Sequence, residues 1–175
     1  MAKLLMARTA LGGATTGELR TRGGAAIVLL RELPESTMLD VRLDPADVAM
    51  LAAVQKATGL DLPQTPGKFS AHAERSALWF GPDQWLIVAQ AGEAGALTRT
   101  LDAVAGSAVD VSDLRAEFEL AGPLAADVLR KGCGIDLHPR VFGPGSCALT
   151  SLARVRVALY LWDWLVDAMT EFTGG

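Results

Sequence analysis

VDVSDLRAEFELAGPLAADVLRKGCGIDLHPRVFGPGSCALTSL, residues 109–152, is the longest segment of this chain in which every local signal agrees. Ala116, Phe118 and Leu120 alternate with Arg115, Glu117 and Glu119, the period-two pattern of a strand that buries one face and solvates the other. Gly122-Pro123 turns the chain, and Pro123 suits a first helical position because its φ is already helical and its missing N–H has no partner there. Leu124, Ala125, Val128 and Leu129 make one apolar helical face, with Asp127, Arg130 and Lys131 opposite. Asp127 can pair with Lys131 one turn on, Lys131 complements the C-terminal dipole, and Gly132 is suited to a left-handed cap. The spacing therefore predicts a helix over 123–131, followed by a polar connection and another strand.

Working outward, 175 residues with half of them apolar make one domain with a substantial core. Charged residues interrupt the apolar runs before any reaches membrane-spanning length. A net charge of −4 with scattered Lys and Arg argues against a nucleic-acid surface, which needs clustered cations. Two cysteines, Cys133 and Cys147, without a CxxC pair fit a reducing compartment, so cytoplasm is expected. The apolar run 4–7 is closed by Arg8 and is too short for an export signal. Residues 1–24, Gly- and Thr-rich from Leu11, are expected to be a flexible lead-in, leaving 25–175 as the domain.

Upstream of the organising stretch, 25–30 and 38–43 read as strands. Asp44-Pro45 opens a helix that Asp44 can cap, with Asp47 near the dipole's positive end, Val48, Leu51, Ala52 and Val54 inward, and Gly59 as its stop. Residues 60–67, with Pro63 and Pro66, form a loop, and His72 is also placed in a loop. Residues 77–80 and 85–89 flank Gly81-Pro82-Asp83-Gln84, which predicts a β-hairpin, with Trp85 anchoring it in the core. A second helix is expected over 95–104 and a strand over 108–111. Downstream, 147–152 and 155–159 are strand-like, and a last helix over 160–172 carries Trp162, Leu165, Val166, Met169 and Phe172 on one face. Tyr160 and Trp164 fall toward its polar side, where a large aromatic either lies under another element or meets a partner; both are candidate interface residues.

The chemistry-bearing residues are few. Cys133, His138 and Cys147 are soft metal-ligand types, but they lack the short paired spacing and fourth donor of a zinc site. A Cys–His nucleophile has no visible orienting third residue, and Cys133 follows a helix C-terminus, where the dipole disfavours a thiolate. Asp110, Ser112 and Asp113 form the densest polar cluster, able to do acid–base work on an amine or, more simply, to make turn hydrogen bonds. GxGxxG and GxxxxGK[ST] are both missing from the sequence, and Gly143-Pro144-Gly145 is a tight turn without a helix behind it. No catalytic, cofactor-binding or metal residue is assigned.

The runs LWFGPDQWLIV (78–88), VDVSDLR, LAGPLAADVLRKGCGIDLHPRVFGPGSCALTSLA and YLWDWLVDAMTEF together resemble the gamma subunit of heterotetrameric sarcosine oxidase, over about residues 32–172. More distantly, residues 112–125 resemble the folate-binding module of the glycine-cleavage T-protein group, with its SD-x-R-x-x-x-x-L-x-G-P-x-A pattern. The resemblance implies an α+β fold with antiparallel sheets and packed helices. It also implies a structural, non-catalytic chain with alpha, beta and delta subunits as partners. FAD would then lie in beta, FMN between alpha and beta, NAD and a tetrahydrofolate-type domain in alpha, and zinc in delta, with no cofactor on this chain. The complex so implied is an oxidoreductase on CH–NH donors: it demethylates sarcosine to glycine, passes the one-carbon unit to tetrahydrofolate or releases formaldehyde, and forms hydrogen peroxide.

Three alternatives stay open at this point: a gamma-type subunit of a related N-methyl amino acid dehydrogenase, a free-standing folate-dependent one-carbon transfer enzyme using Asp110 or Asp113, and a small independent ligand-binding domain. Family members also place a strand-bearing segment between the strand matching 155–159 and the helix matching YLWDWL. Here it is missing, between 159 and 160, and the junction offers no Gly, Pro, Asn or Ser to reverse the chain.

Overall fold

The computed structural model describes residues 17–20 and 26–161. The chain enters through β1 (Gly17–Arg20), antiparallel to β2 (Ala26–Glu32) with Gly17 opposite Leu30 and Leu19 opposite Val28. Residues 17–20 of the lead-in expected over 1–24 form this strand, and the remainder of that lead-in lies outside the described residues. The strand's own residues carry no strand pattern, and the pairing with β2 supplies the order. The next strand, β3 (Ser36–Arg42), divides two cores: Leu39 and Val41 are fully buried on one face, and Met38 is buried on the other. Burial on both sides explains why its alternation is imperfect in the sequence.

After β3 comes α1 (Val48–Thr58). Its N-cap is Asp47, whose side chain accepts the Met50 N–H at 2.9 Å, and not Asp44, which accepts the Ala46 N–H one turn earlier. Each carboxylate closes a different tight turn, so the helix starts three residues later than Pro45 suggests. Gly59 ends it at φ 78°, in the left-handed region that favours glycine. β4 (Phe69–His72) then pairs with β5 (Arg75–Gly81), which corrects the loop placement of His72.

The predicted hairpin is present: β5 returns as β6 (Gln84–Gln90), with Gly81 opposite Gln84. Two-residue hairpin loops favour positive φ at one or both positions, which Pro82 cannot adopt. The mismatch is taken up by a bulge, since Trp79 faces Trp85 and Gly81 faces Gln84, leaving Phe80 as the extra residue. β6 pairs with β3 along its length, from Ser36 opposite Gln90 to Arg42 opposite Gln84. α2 (Ala94–Asp102) leads to β7 (Ser107–Asp110), which takes the other edge of β3. The result is a five-stranded antiparallel sheet in the order β4-β5-β6-β3-β7.

The organising stretch continues through a 3-10 turn (Ser112–Leu114) into β8 (Phe118–Ala121), which pairs with β2 and completes a three-stranded sheet, β1-β2-β8. Ala116 lies ahead of that strand. The expected helix over 123–131 is shorter, as α3 (Ala125–Arg130). Gly122 sits at φ +106° with the Ile27 carbonyl only 2.7 Å from where a Cβ would be, so the chain is still turning there. Asp127 pairs with Arg130, one turn away at i+3, in place of Lys131. Gly132 does not take the left-handed cap, since Lys131 remains helical and the Cys133 N–H reaches back to the Leu129 carbonyl. β9 (Cys147–Leu152) and β10 (Val155–Tyr160) form a separate antiparallel pair.

The described residues are thus α+β, with antiparallel sheets and few helices. The main core lies between the five-stranded sheet and α1 and α2, and holds Leu39, Val54, Trp85, Ile87 and Leu101. A smaller core on the opposite face holds Met38, Leu78, Leu86 and Cys147, with Phe69 and Tyr160 packed on it. Trp85 is fully buried, and its indole N–H donates to the Pro63 carbonyl at 2.8 Å, tying the 60–67 loop to the sheet. Trp85→Ala is expected to destabilise the chain by about 3–5 kcal/mol, since it opens a cavity and strips the carbonyl of its partner. Urea unfolding checks this; an unchanged midpoint overturns the anchoring role.

Candidate functional site

The Asp110, Ser112 and Asp113 cluster lies where β7 runs into the 3-10 turn. Asp110 Oδ1 accepts both the Ser112 N–H at 3.0 Å and the Ser112 hydroxyl at 2.6 Å, and Ser112 Oγ in turn accepts the Met38 N–H at 2.9 Å. The Val111 N–H donates to the Met38 carbonyl, and the Leu114 N–H to the Val111 carbonyl. The Ser112 hydroxyl and N–H hold the Asp110 carboxyl below its ordinary value, so it is ionised and committed to the turn. The arrangement fixes backbone through Asp110 and Ser112, and Asp113 stands exposed on the 3-10 turn. Turn hydrogen bonds are what Asp110 and Ser112 make.

The three soft-ligand residues are separately engaged. Cys133 lies 3.7 Å from the Thr150 hydroxyl. The Cys147 thiol donates to the Lys68 carbonyl at 3.0 Å; burial, the larger influence, pushes its pKa up, against the opposing effects of the Trp79 carbonyl bond and the Lys68 charge. A thiol so placed is a small core residue, the opposite of an activated nucleophile. His138 is exposed, and its Nδ1 accepts the Arg140 N–H at 3.2 Å. Among the described residues no group of three or more His, Cys, Asp or Glu could hold a metal ion. The surface hollows are shallow and open; one is lined by Gly134, Leu149, Thr150, Ser151 and Arg156.

Of the two interface candidates, Tyr160 ends β10 opposite Cys147 and does not open a helix. Its ring meets Phe69 edge-on, with centroids 5.6 Å apart. The ladder runs on through Leu161, whose N–H donates to the Ser146 carbonyl, so the strand crosses the 159–160 junction without a break. Trp164 and the rest of the helix expected to 172 lie outside the described residues.

Two features escaped the sequence reading. Glu117 falls on the solvated face of the strand pattern, yet burial pushes its carboxyl up from the ordinary 4.5, more than the Ser36 hydroxyl bond at 3.3 Å lowers it. Its carbonyl accepts the Leu33 N–H, so it sits at the joint between the two larger sheets. The other is the pair Leu114 and Arg115, considered further below. Contacts remote in sequence reveal both: Ser36 and Leu33 for Glu117, and Met38 and Phe80 for the turn that carries Leu114 and Arg115.

A carboxyl whose folded value is raised favours the folded state fully below its unfolded value, and that contribution is lost as pH rises through the folded value. Glu117→Gln is therefore expected to raise the melting temperature near pH 7, the gain disappearing below about pH 4, where both forms are neutral. Thermal melts of both proteins across that range check it; a gain that persists in acid, or a loss near neutrality, overturns the buried-charge account.

With the geometry in view, comparison with known proteins points one way. The family described as "Sarcosine oxidase, gamma subunit family" matches residues 42–157. The "Sarcosine oxidase subunit gamma" of Arthrobacter sp is 40% identical over 169 residues, covering 85% of this chain and 83% of that protein. The protein of the same name from Corynebacterium sp. (strain U-96) is 37% identical over 171 residues, covering 86% and 83%. Among solved structures, "Heterotetrameric Sarcosine Oxidase from Corynebacterium sp. U-96 in complex with pyrrole 2-carboxylate" is similar with a TM-score of 0.70 at 36% identity, over 86% of this chain and 87% of that one.

Proposed function

This chain belongs to the sarcosine oxidase gamma subunit family, and on that premise we propose that it is the non-catalytic structural subunit of a heterotetrameric sarcosine oxidase. The observation that carries the reading is the fate of its polar residues. Asp110 and Ser112 are consumed in a turn and the thiols of Cys133 and Cys147 are buried, in a chain whose solved neighbour is a heterotetramer. Alpha, beta and delta subunits are the partners in this reading. FAD, FMN, NAD, tetrahydrofolate and zinc reside on them, and the complex demethylates sarcosine to glycine. Cytoplasm is the compartment proposed; among the described residues no helix is long and apolar enough to cross a membrane. Tyr160 and Trp164 are kept as proposed contacts near the C-terminal side.

Two finer points belong to the same proposal. The run from the 3-10 turn through β8 and Gly122 into α3 follows the order expected of a T-protein-type folate-binding module, which supports that kinship of fold. The chain is also proposed to lack a segment that its relatives have near residues 159–160. In support, the alignment with the Arthrobacter protein spans 169 positions yet uses 85% of a 175-residue chain, so part of that relative lies opposite a gap.

The test is to purify the tagged chain alone and co-expressed with the alpha, beta and delta subunits of its source. Alone, it is expected to be colourless and without sarcosine-oxidising activity; co-expressed, it is expected to bring down the other three with flavin absorbance and activity. Flavin retained on the isolated chain through desalting overturns the non-catalytic reading. Failure to bring down any subunit overturns the structural one.

A further inference from the structure

Leu114 is 80% exposed, the most exposed large apolar side chain among the described residues, yet it stands on one of the most firmly tied turns of the chain. The bonds from Asp110, Ser112 and Met38 described above hold that turn to β3, and Leu114 closes it through its own N–H. Next to it, the Arg115 guanidinium lies 5.2 Å from the centre of the Phe80 ring, the bulge residue of β5. Arg115 is exposed and takes part in no ion pair among the described residues. Val109, 54% exposed, lies beside the turn on β7, the end strand of its sheet, and Val111 packs on the smaller core with Phe80. These residues together make an apolar centre with a stacked, unneutralised arginine at its rim.

We infer that this surface, centred on Leu114 and Arg115, is where the chain docks another subunit of its complex, one offering an apolar pocket for Leu114 and a carboxylate for Arg115. The inference rests on the structural-subunit reading above, which supplies the occupant. The composition fits: protein interfaces concentrate their binding energy in Arg and apolar anchors that are desolvated on docking, and such anchors bind best when held in place beforehand. The Asp110–Ser112 network has here the role of positioning. It spends its hydrogen bonds on keeping one leucine and one arginine pointing outward.

The test uses the full chain co-expressed with the alpha, beta and delta subunits. Leu114→Asp and Arg115→Glu are each expected to reduce the co-purified partners about tenfold or more, while the melting temperature of the isolated chain stays the same. Ser112→Ala, which releases the Met38 N–H, is expected to weaken assembly less and to lower the melting temperature as well. Normal assembly of both Leu114→Asp and Arg115→Glu overturns the inference while leaving the subunit reading intact. An unaltered chain that runs alone as a dimer, split by Leu114→Asp, also overturns it, assigning the surface to a second copy. An unaltered chain that brings down no subunit overturns the reading itself.

Discussion

The rest of this structure depends on β3 being bonded along both edges. β6 takes one edge and β7 the other, and the strand must then satisfy two faces at once, Leu39 and Val41 toward the helices and Met38 toward β9 and β10. β3 has no exposed edge, and the elements around it are placed by what its two faces leave uncovered. α1 and α2 close one side. On the other, Cys147 and Tyr160 cover only the β5–β6 end, and the turn after β7 crosses near the remainder. Partial cover of that second face is the origin of the apolar surface around Leu114.

Where the fold could be read in the sequence, the signal was local. The hairpin announced itself through Pro82-Asp83 between two apolar runs, and Gly59 and Trp85 do what their residue types suggest. Where the reading failed, a distant contact had overridden a local one. Gly122 looks like the entry to a helix but is bent by its approach to Ile27, and Gly132 looks like a cap but lies against Leu152 and Ala153. Residues 17–20 have no strand pattern at all and are ordered by β2. The site behaves likewise: Asp110 and Ser112 are conspicuous in the sequence, while their partner, the Met38 N–H, is more than seventy residues away.

A polar cluster as dense as this one invites the question of what it is for. Its bonds lead to backbone: the Asp110 carboxylate accepts the Ser112 N–H and orients its hydroxyl, and that hydroxyl oxygen accepts the Met38 N–H of β3. Bonds of this kind contribute little net stability each, about 1 kcal/mol, but several on three consecutive residues remove most of the freedom of a loop. Rigidity is useful in a subunit, because the entropy of ordering a contact is then lost during folding and not again on association.

The pairing of β2 with β8 has a further consequence, for the order in which the molecule is made. The β5–β6 hairpin joins near neighbours and can close as soon as it is synthesised, whereas Leu29 must wait for Ala121. Long-range strand pairings of this sort are the slow step of folding, because a large loop has to close before any bond rewards it. On the ribosome β2 therefore emerges early, with only β1 beside it, and keeps a naked edge until most of the chain has followed. Such an interval is when an apolar strand is open to a chaperone or to the wrong partner. In a cell, the yield of this subunit would then be set by the rate at which its three-stranded sheet closes, even though that sheet is smaller than the five-stranded one.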